Sequence, residues 1–202
     1  MPTLPLQMLG TYALGLILRE CVRSLIGGFY ISVPEPIAGS LTVAGVQLSH
    51  WRLAIVVITT AVMLTSYLLL TRTSFGLRVR AALENPSLAR ASGISTNALY
   101  AVTFTFGAAL AGLAGALVVP VFSLSADLGI RFLIQGFLAI MLGGTGTFEG
   151  SVAGAAIVGV LSAALPWAVA PALADVLVFV IAIVFVKIKP GGLWGKESVN
   201  HA

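Results

Sequence analysis

Residues 51–70, "WRLAIVVITTAVMLTSYLLL", carry one charge in twenty positions. A helix of about 20 apolar residues, rising about 1.5 Å per residue, crosses the roughly 30 Å hydrocarbon core of a bilayer. Inside lipid every backbone N–H and C=O must find its partner within the protein. Among continuous apolar runs only helices meet that demand, because barrel strands alternate in polarity. Residues 6–26 and 98–119 supply two more runs of spanning length. Residues 132–142, 150–165 and 175–188 are shorter, and the first of these is too short to cross comfortably on its own. Composition agrees: 58% of the 202 residues are hydrophobic and 9% are charged, against roughly 25% charged in soluble domains. A soluble fold of this length cannot hide so much apolar surface. The expectation is an all-α polytopic membrane protein with about five or six transmembrane or half-spanning helices, forming one transmembrane domain over residues 1–202.

The connectors differ in character. Residues 27–50, with two prolines, several glycines and short β-branched runs, read as an ordered loop holding a strand pair. Residues 71–97, "TRTSFGLRVRAALENPSLARASGISTN", are polar and break into two short helices, 77–83 and 88–92, at Asn85-Pro86, because proline disfavours helix in the residue before it. Seven of the eleven Lys and Arg residues fall in two connectors: Arg72, Arg78, Arg80 and Arg90 in the first, Lys187, Lys189 and Lys196 in the tail. The positive-inside rule puts both connectors in the cytoplasm and residues 27–50 outside. An even number of crossings then separates the two basic connectors, either four full crossings or two crossings plus a pair that dips in and returns. Arg19, Arg23, Arg52 and Arg131 fall on the outer side. Arg19, Glu20 and Arg23 read either as an intramembrane polar site or as a snorkelling helix end with Glu20 and Arg23 paired at i,i+3, and the helix end is the favoured reading.

The glycine-rich stretch "LGGTGTFEG", residues 142–150, looks like a phosphate loop and fails the chemistry. A Walker loop closes with lysine and then Ser or Thr, whereas Glu149 and Gly150 stand here, and Glu149 also occupies the third glycine of the dinucleotide pattern. A carboxylate in that cradle repels the ligand. In lipid the better use of glycine is close helix packing, since helices gain no hydrophobic energy from touching one another. Ala108-xxx-Gly112, Ala111-xxx-Gly115, Gly150-xxx-Gly154 and Ala155-xxx-Gly159 set small residues on successive turns, and Gly107 belongs to the same region. Gly143, Gly144 and Gly146 form a junction between two short apolar pieces. That junction reads equally as a broken helix at membrane depth, as transporters use, or as a turn between two short helices at the cytoplasmic surface.

Enzyme chemistry is missing. His50 and His201 lie in connectors, and there is no HExxH motif, carboxylate pair or cysteine cluster, with Cys21 the single cysteine. Asp175 reads as a helix N-cap and Asp127 as a turn residue. No metal site is expected, and the +4 net charge is a topology signal rather than a nucleic-acid footprint.

Four stretches together carry a family likeness: "RTSFGLRVRAALENPSLARASGI" (72–94), "FTFGAALAGLAGAL" (104–117), "GFLAIMLGGTGTFEGSVAGA" (136–155) and "KPGGLWGK" (189–196). In these the chain resembles the permease subunits of ATP-binding-cassette importers for branched-chain amino acids. Residues 6–27 look like an interior helix of the same family. Such permeases have further helices upstream, one with a glycine- and asparagine-rich pore segment, so this chain is expected to be partial relative to the family.

The resemblance implies a membrane subunit in the cell inner membrane that forms part of a translocation path, works beside a second related permease subunit, receives substrate from an external binding protein and docks on separate cytoplasmic ATP-binding subunits. ATP would be used by the partner, with no cofactor bound by this chain. Residues 71–97 would be the coupling segment: Ala81, Ala82, Ala89 and Gly93 giving a close face, Arg78, Arg80, Glu84 and Arg90 polar contacts, and Ile94 filling a hydrophobic slot. The competing use of those arginines is to fix topology at lipid headgroups. Branched-chain amino acids are the family default, with urea and short amides the alternative substrates. A secondary transporter or channel would show ionisable or coordinating groups in mid-span, which these spans lack, and a non-transporting membrane scaffold is the remaining class.

Overall fold

The computed structural model describes residues 3–43, 46–144, 147–189 and 191–192. Its elements in chain order are α1 (Thr3–Ile26), β1 (Ser40–Val43), β2 (Val46–Ser49), α2 (His50–Arg72), α3 (Ser74–Glu84), α4 (Pro86–Ala91), α5 (Thr96–Phe122), α6 (Leu128–Gly143), α7 (Phe148–Ala168) and α8 (Pro171–Ile188). The expected all-α polytopic architecture is what forms, with the strand pair as a small exception. The chain divides into two compact units, Met1–Ala126 and Asp127–Ala202.

Among the described residues three helices are long and apolar enough to cross a membrane: α2, α5 and α7. Residues 6–26 form α1 as anticipated, with Arg19, Glu20 and Arg23 diluting the apolar run in its last two turns. One sequence expectation changes here: α7 is longer than the 150–165 segment suggests. It continues through Pro166 to Ala168 and reaches spanning length, while α6 and the apolar part of α8 stay shorter.

In the first unit, β1 and β2 pair antiparallel with Leu41 opposite Leu48 and Thr42 opposite Gln47. The hairpin leads directly into α2, where Ser49 takes the N-cap: its hydroxyl accepts from Trp51 N at 3.1 Å and donates to the Glu35 carboxylate. A short bridge joins the preceding loop to the end of α5, with Ile31 N donating to Leu124 O at 3.0 Å and Leu124 N to Ile31 O at 2.8 Å. Glu20 and Arg23 form a loose, exposed i,i+3 pair at 3.8 Å near the end of α1, the helix-end arrangement rather than a buried polar site.

The second unit is a three-helix packing of α6, α7 and α8. Its core holds Ala139, Leu142, Val158, Val178 and Ala182, with Leu138, Leu161, Leu165 and Phe185 packed around them. Asp127 precedes α6 at its N-cap position. Asp175 does not cap a helix: α8 starts at Pro171, with Ala170 as N-cap, so Asp175 falls inside the helix. Proline explains the shift, because its fixed φ and missing N–H suit the first helical turn.

Candidate functional site: the polar elbow and the glycine hairpin

The connector between α2 and α5 is built almost wholly from local capping. Thr73 ends α2 and starts α3; its hydroxyl donates to Leu69 O and accepts from Gly76 N at 3.4 Å. The bend is tight because Gly76 lies against the end of α2: a Cβ there would collide with the Leu70 carbonyl. Arg80 Nη2 then reaches back to donate to Leu70 O at 3.0 Å, with Thr71 O more distant at 3.5 Å. Carbonyls at a helix C-terminus have no intrahelical partner and carry partial negative charge, so a guanidinium there is stabilising. The elbow is therefore held by a close backbone approach and a charged clamp.

Asn85 serves both short helices. Its N–H donates to Ala81 O at 3.1 Å, and its side-chain oxygen accepts from Leu88 N at 3.1 Å and from the Ser87 hydroxyl at 2.7 Å. Pro86 at the first position of α4 needs no amide partner. The helix ends in a Schellman motif: Gly93, at φ +83°, donates to Arg90 O, and Ile94 N donates to Ala89 O, both at 3.0 Å. That turn folds Ile94 onto a small core of Ala82, Ala89 and Leu99, closed by Phe75 and Val79. Tyr100 adds a cross-link from α5, its hydroxyl donating to Ala82 O at 3.0 Å.

The positions named from sequence thus separate into two groups. Ala82, Ala89 and Ile94 are spent inside the chain, the first two buried and the third partly so. Arg78, Arg80, Ala81, Glu84, Arg90 and Gly93 face outward, but Arg80 is committed to Leu70 and Arg90 Nε donates to Pro86 O at 3.1 Å. Arg78 has no intramolecular partner among the described residues. Sequence reasoning passed over Leu77, Leu83 and Leu88, each more than 60% exposed on this otherwise polar connector. The signal was available: Phe75, Val79 and Ala82 follow helical spacing on the inner face, which leaves Leu77 on the opposite face.

The second constellation is the α6–α7 hairpin. A Cβ on Gly143 would collide with the Gly150 carbonyl and come within 2.9 Å of Ser151 N, and one on Gly150 would lie 2.5 Å from Gly143 O. A Cβ on Gly154 would come within 2.7 Å of Gly143 N and collide with the Ala139 carbonyl. The pairings Gly143 with Gly150 and Ala139 with Gly154 run in opposite directions, as in two antiparallel helices in backbone contact. Thr147 caps α7 by accepting from Gly150 N at 3.2 Å. Gly144 adopts φ +97°, and Gly192, at φ +74°, packs its backbone on it. Gly146 lies outside the described residues. Gly107, Gly112 and Gly115 on α5 behave differently: a Cβ at any of them meets nothing within 4 Å.

A family description, "Branched-chain amino acid transport system / permease component", matches residues 4–186. The chain belongs to this permease family. Among curated relatives it is 32% identical over 164 residues to the high-affinity branched-chain amino acid transport system permease protein BraD of Pseudomonas aeruginosa, covering 80% of this chain and 53% of that protein. It is 25% identical over 201 residues to the corresponding LivH protein of Salmonella typhimurium, covering 96% and 65%. A probable LivH permease of Methanocaldococcus jannaschii is 31% identical over 138 residues, covering 65% and 44%. The chain therefore spans between 44% and 65% of the length of these permeases. No solved structure matches it. Among the described residues no group of His, Cys, Asp and Glu could hold a metal ion, and the family is one of transport permeases rather than enzymes.

Proposed function

We propose that this chain is a membrane-spanning part of an inner-membrane, ATP-driven importer for branched-chain or related amino acids, and that α3 and α4 are its coupling segment. The supporting observation is the elbow. Gly76, Thr73 and Arg80 fix α3 to the end of α2, Tyr100 and the Ala82–Ala89–Leu99 core fix it to the start of α5, and Leu77, Leu83 and Leu88 remain exposed on its surface. A polar connector with several outward leucines, clamped to two spans, transmits a push from a docked partner into the membrane. The partner is a cytoplasmic ATP-binding subunit that consumes the ATP; this chain binds no cofactor itself. Residues 71–97 and the C-terminus lie in the cytoplasm, in keeping with their Lys and Arg content. A second related permease subunit completes the path, and an external binding protein delivers substrate. Selectivity then resides largely in the binding protein, which suits spans of Gly, Ala, Thr and Phe without mid-span charge.

The test is co-purification of the ATP-binding subunit with the full chain and with Leu83→Glu and Leu88→Glu variants. Each leucine is exposed, so folding is preserved and partner recovery falls at least about tenfold, in line with the loss of a docking anchor. Unchanged recovery in both variants removes the coupling assignment.

A further inference from the structure

Between α3 and the α4–α5 turn runs an open groove of about 490 Å³. Its polar rim holds Arg78, Ser92 and Ser95, and its apolar wall is formed by Phe75, Leu99 and Val102. We propose that this groove binds the headgroup and upper acyl chain of an anionic phospholipid, with Arg78 as the cation for its phosphate.

The charge argument begins with what the arginines of α3 and α4 are doing. Arg80 and Arg90 are occupied by backbone carbonyls, while Arg78 lines the groove with no intramolecular partner among the described residues. No acidic residue lines the groove, so its formal charge is +1. Ser95 is the N-cap of α5, yet its side chain makes no capping bond to that helix, so the hydroxyl is free to donate to an anionic oxygen. Ser92 donates its hydroxyl proton to Leu88 O and offers only acceptor capacity, which matches the glycerol or hydroxyl hydrogens of a headgroup rather than its phosphate.

The apolar wall identifies the source of the phosphate. Leu99 and Val102 belong to α5, whose most apolar stretch holds no buried residue and is suited to hydrocarbon. From Ser95 to Val102 the helix advances about 10 Å. The polar interface of a leaflet is about 5–8 Å deep, half the difference between total and hydrocarbon thickness. A phosphate held at Arg78 and Ser95 therefore sets its acyl chain beside Val102, within the hydrocarbon. A free phosphate has no use for that wall, and a soluble partner would have to reach into lipid to cover it. Anionic lipids concentrate in the cytoplasmic leaflet, where basic juxtamembrane groups attract them.

The experiment uses the full chain purified in dodecyl maltoside, incubated with palmitoyl-oleoyl phosphatidylglycerol or phosphatidylcholine, washed, and examined by native mass spectrometry for retained lipid. Wild-type protein retains phosphatidylglycerol in preference to phosphatidylcholine. Arg78→Ala lowers the retained phosphatidylglycerol about fivefold, the weight of one basic group near an anionic surface, and Arg78→Lys keeps most of it. Val102→Trp fills the groove without touching the charge and lowers retention equally; it also serves if Arg78→Ala does not fold. Equal retention of the two lipids, or wild-type retention in both Arg78→Ala and Val102→Trp, overturns the proposal. So does stripping of phosphatidylglycerol by inorganic phosphate at 10-fold excess, which identifies a bare anion site. Loss of the ATP-binding subunit from Arg78→Ala with unchanged lipid retention assigns Arg78 to the protein partner and likewise overturns it.

Discussion

Gly143 and Gly150, on facing helices, touch backbone to backbone, and neither has room for a side chain. Close approach of this kind replaces the hydrophobic drive that lipid-facing helices lack. Ala substitutions at Gly143 and Gly154 therefore force α6 and α7 apart and destabilise the hairpin by about 1–3 kcal/mol, the usual cost of overpacking. Gly112→Ala and Gly115→Ala on α5 meet nothing within 4 Å, and exchange of a mid-helix glycine for alanine there gains about 0.5–1 kcal/mol of helix propensity. Unfolding in mixed dodecyl maltoside and SDS micelles reads both effects. A Gly154→Ala midpoint equal to that of Gly112→Ala would contradict the packing.

Arg80 makes a second prediction because its guanidinium binds the end of α2 instead of solvent. Arg80→Ala leaves the Leu70 carbonyl without its donor and costs about 1 kcal/mol, the lower part of the range for an exposed, charge-assisted bond. Its mechanical effect is larger. Spin labels at the exposed positions Leu64 and Leu83 report the α2–α3 angle, and their distance distribution broadens in Arg80→Ala and in Gly76→Ala. Arg80→Lys retains one donor and narrows it again. A distribution as sharp as wild type in Arg80→Ala would show that the clamp is idle.

The spans and the connector were legible because their signals are local. The apolar run at 51–70 fixed α2 by length alone, and Asn85-Pro86 marked the break between α3 and α4 through a restriction acting on adjacent residues. Charge in the last turns of α1 is visible in the sequence too, as Arg19, Glu20 and Arg23. The start of α8 is set by Pro171 rather than by Asp175, because the fixed φ of proline suits the first helical turn whichever polar residue follows. What could not be read was direction. Ala82, Ala89 and Ile94 looked like partner contacts from composition, and only the Schellman turn at Gly93 shows that they fold inward onto Leu99. Likewise two glycine-rich stretches of similar spacing differ in whether a helix faces them: Gly150 and Gly154 lie against the backbone of α6, whereas Gly112 and Gly115 face open space.

Ser49 joins the hairpin to α2 through two bonds at once, capping Trp51 N and donating to Glu35. Ser49→Ala removes both and lowers stability by about 1 kcal/mol through the cap, with a further loss from the stranded Glu35 oxygen. Ser49→Thr preserves the hydroxyl and recovers most of it. Glu35→Gln keeps an acceptor opposite the hydroxyl and costs less than Ser49→Ala. Thermal melts of the three variants in one detergent give the order, and a Glu35→Gln loss equal to Ser49→Ala would mean the cap contributes nothing.

Gly93 isolates backbone strain from steric clash. A Cβ there meets nothing within 4 Å, yet φ is +83°. Gly93→Ala thus pays only for a left-handed conformation, about 1–2 kcal/mol, while asparagine, which tolerates that region, costs less. If the Schellman turn is what seats Ile94 on Ala89, the strain is relieved by unwinding the last turn of α4, and Ile94 leaves the Ala82–Ala89–Leu99 core. Amide exchange at Ile94, whose N–H is held by Ala89 O, rises in the order wild type, Gly93→Asn, Gly93→Ala, and a cysteine at position 94 in a Cys21→Ser background gains thiol reactivity in the same order. Equal protection in Gly93→Ala and wild type would show that the turn survives without glycine, and that the seat of Ile94 depends on the core alone.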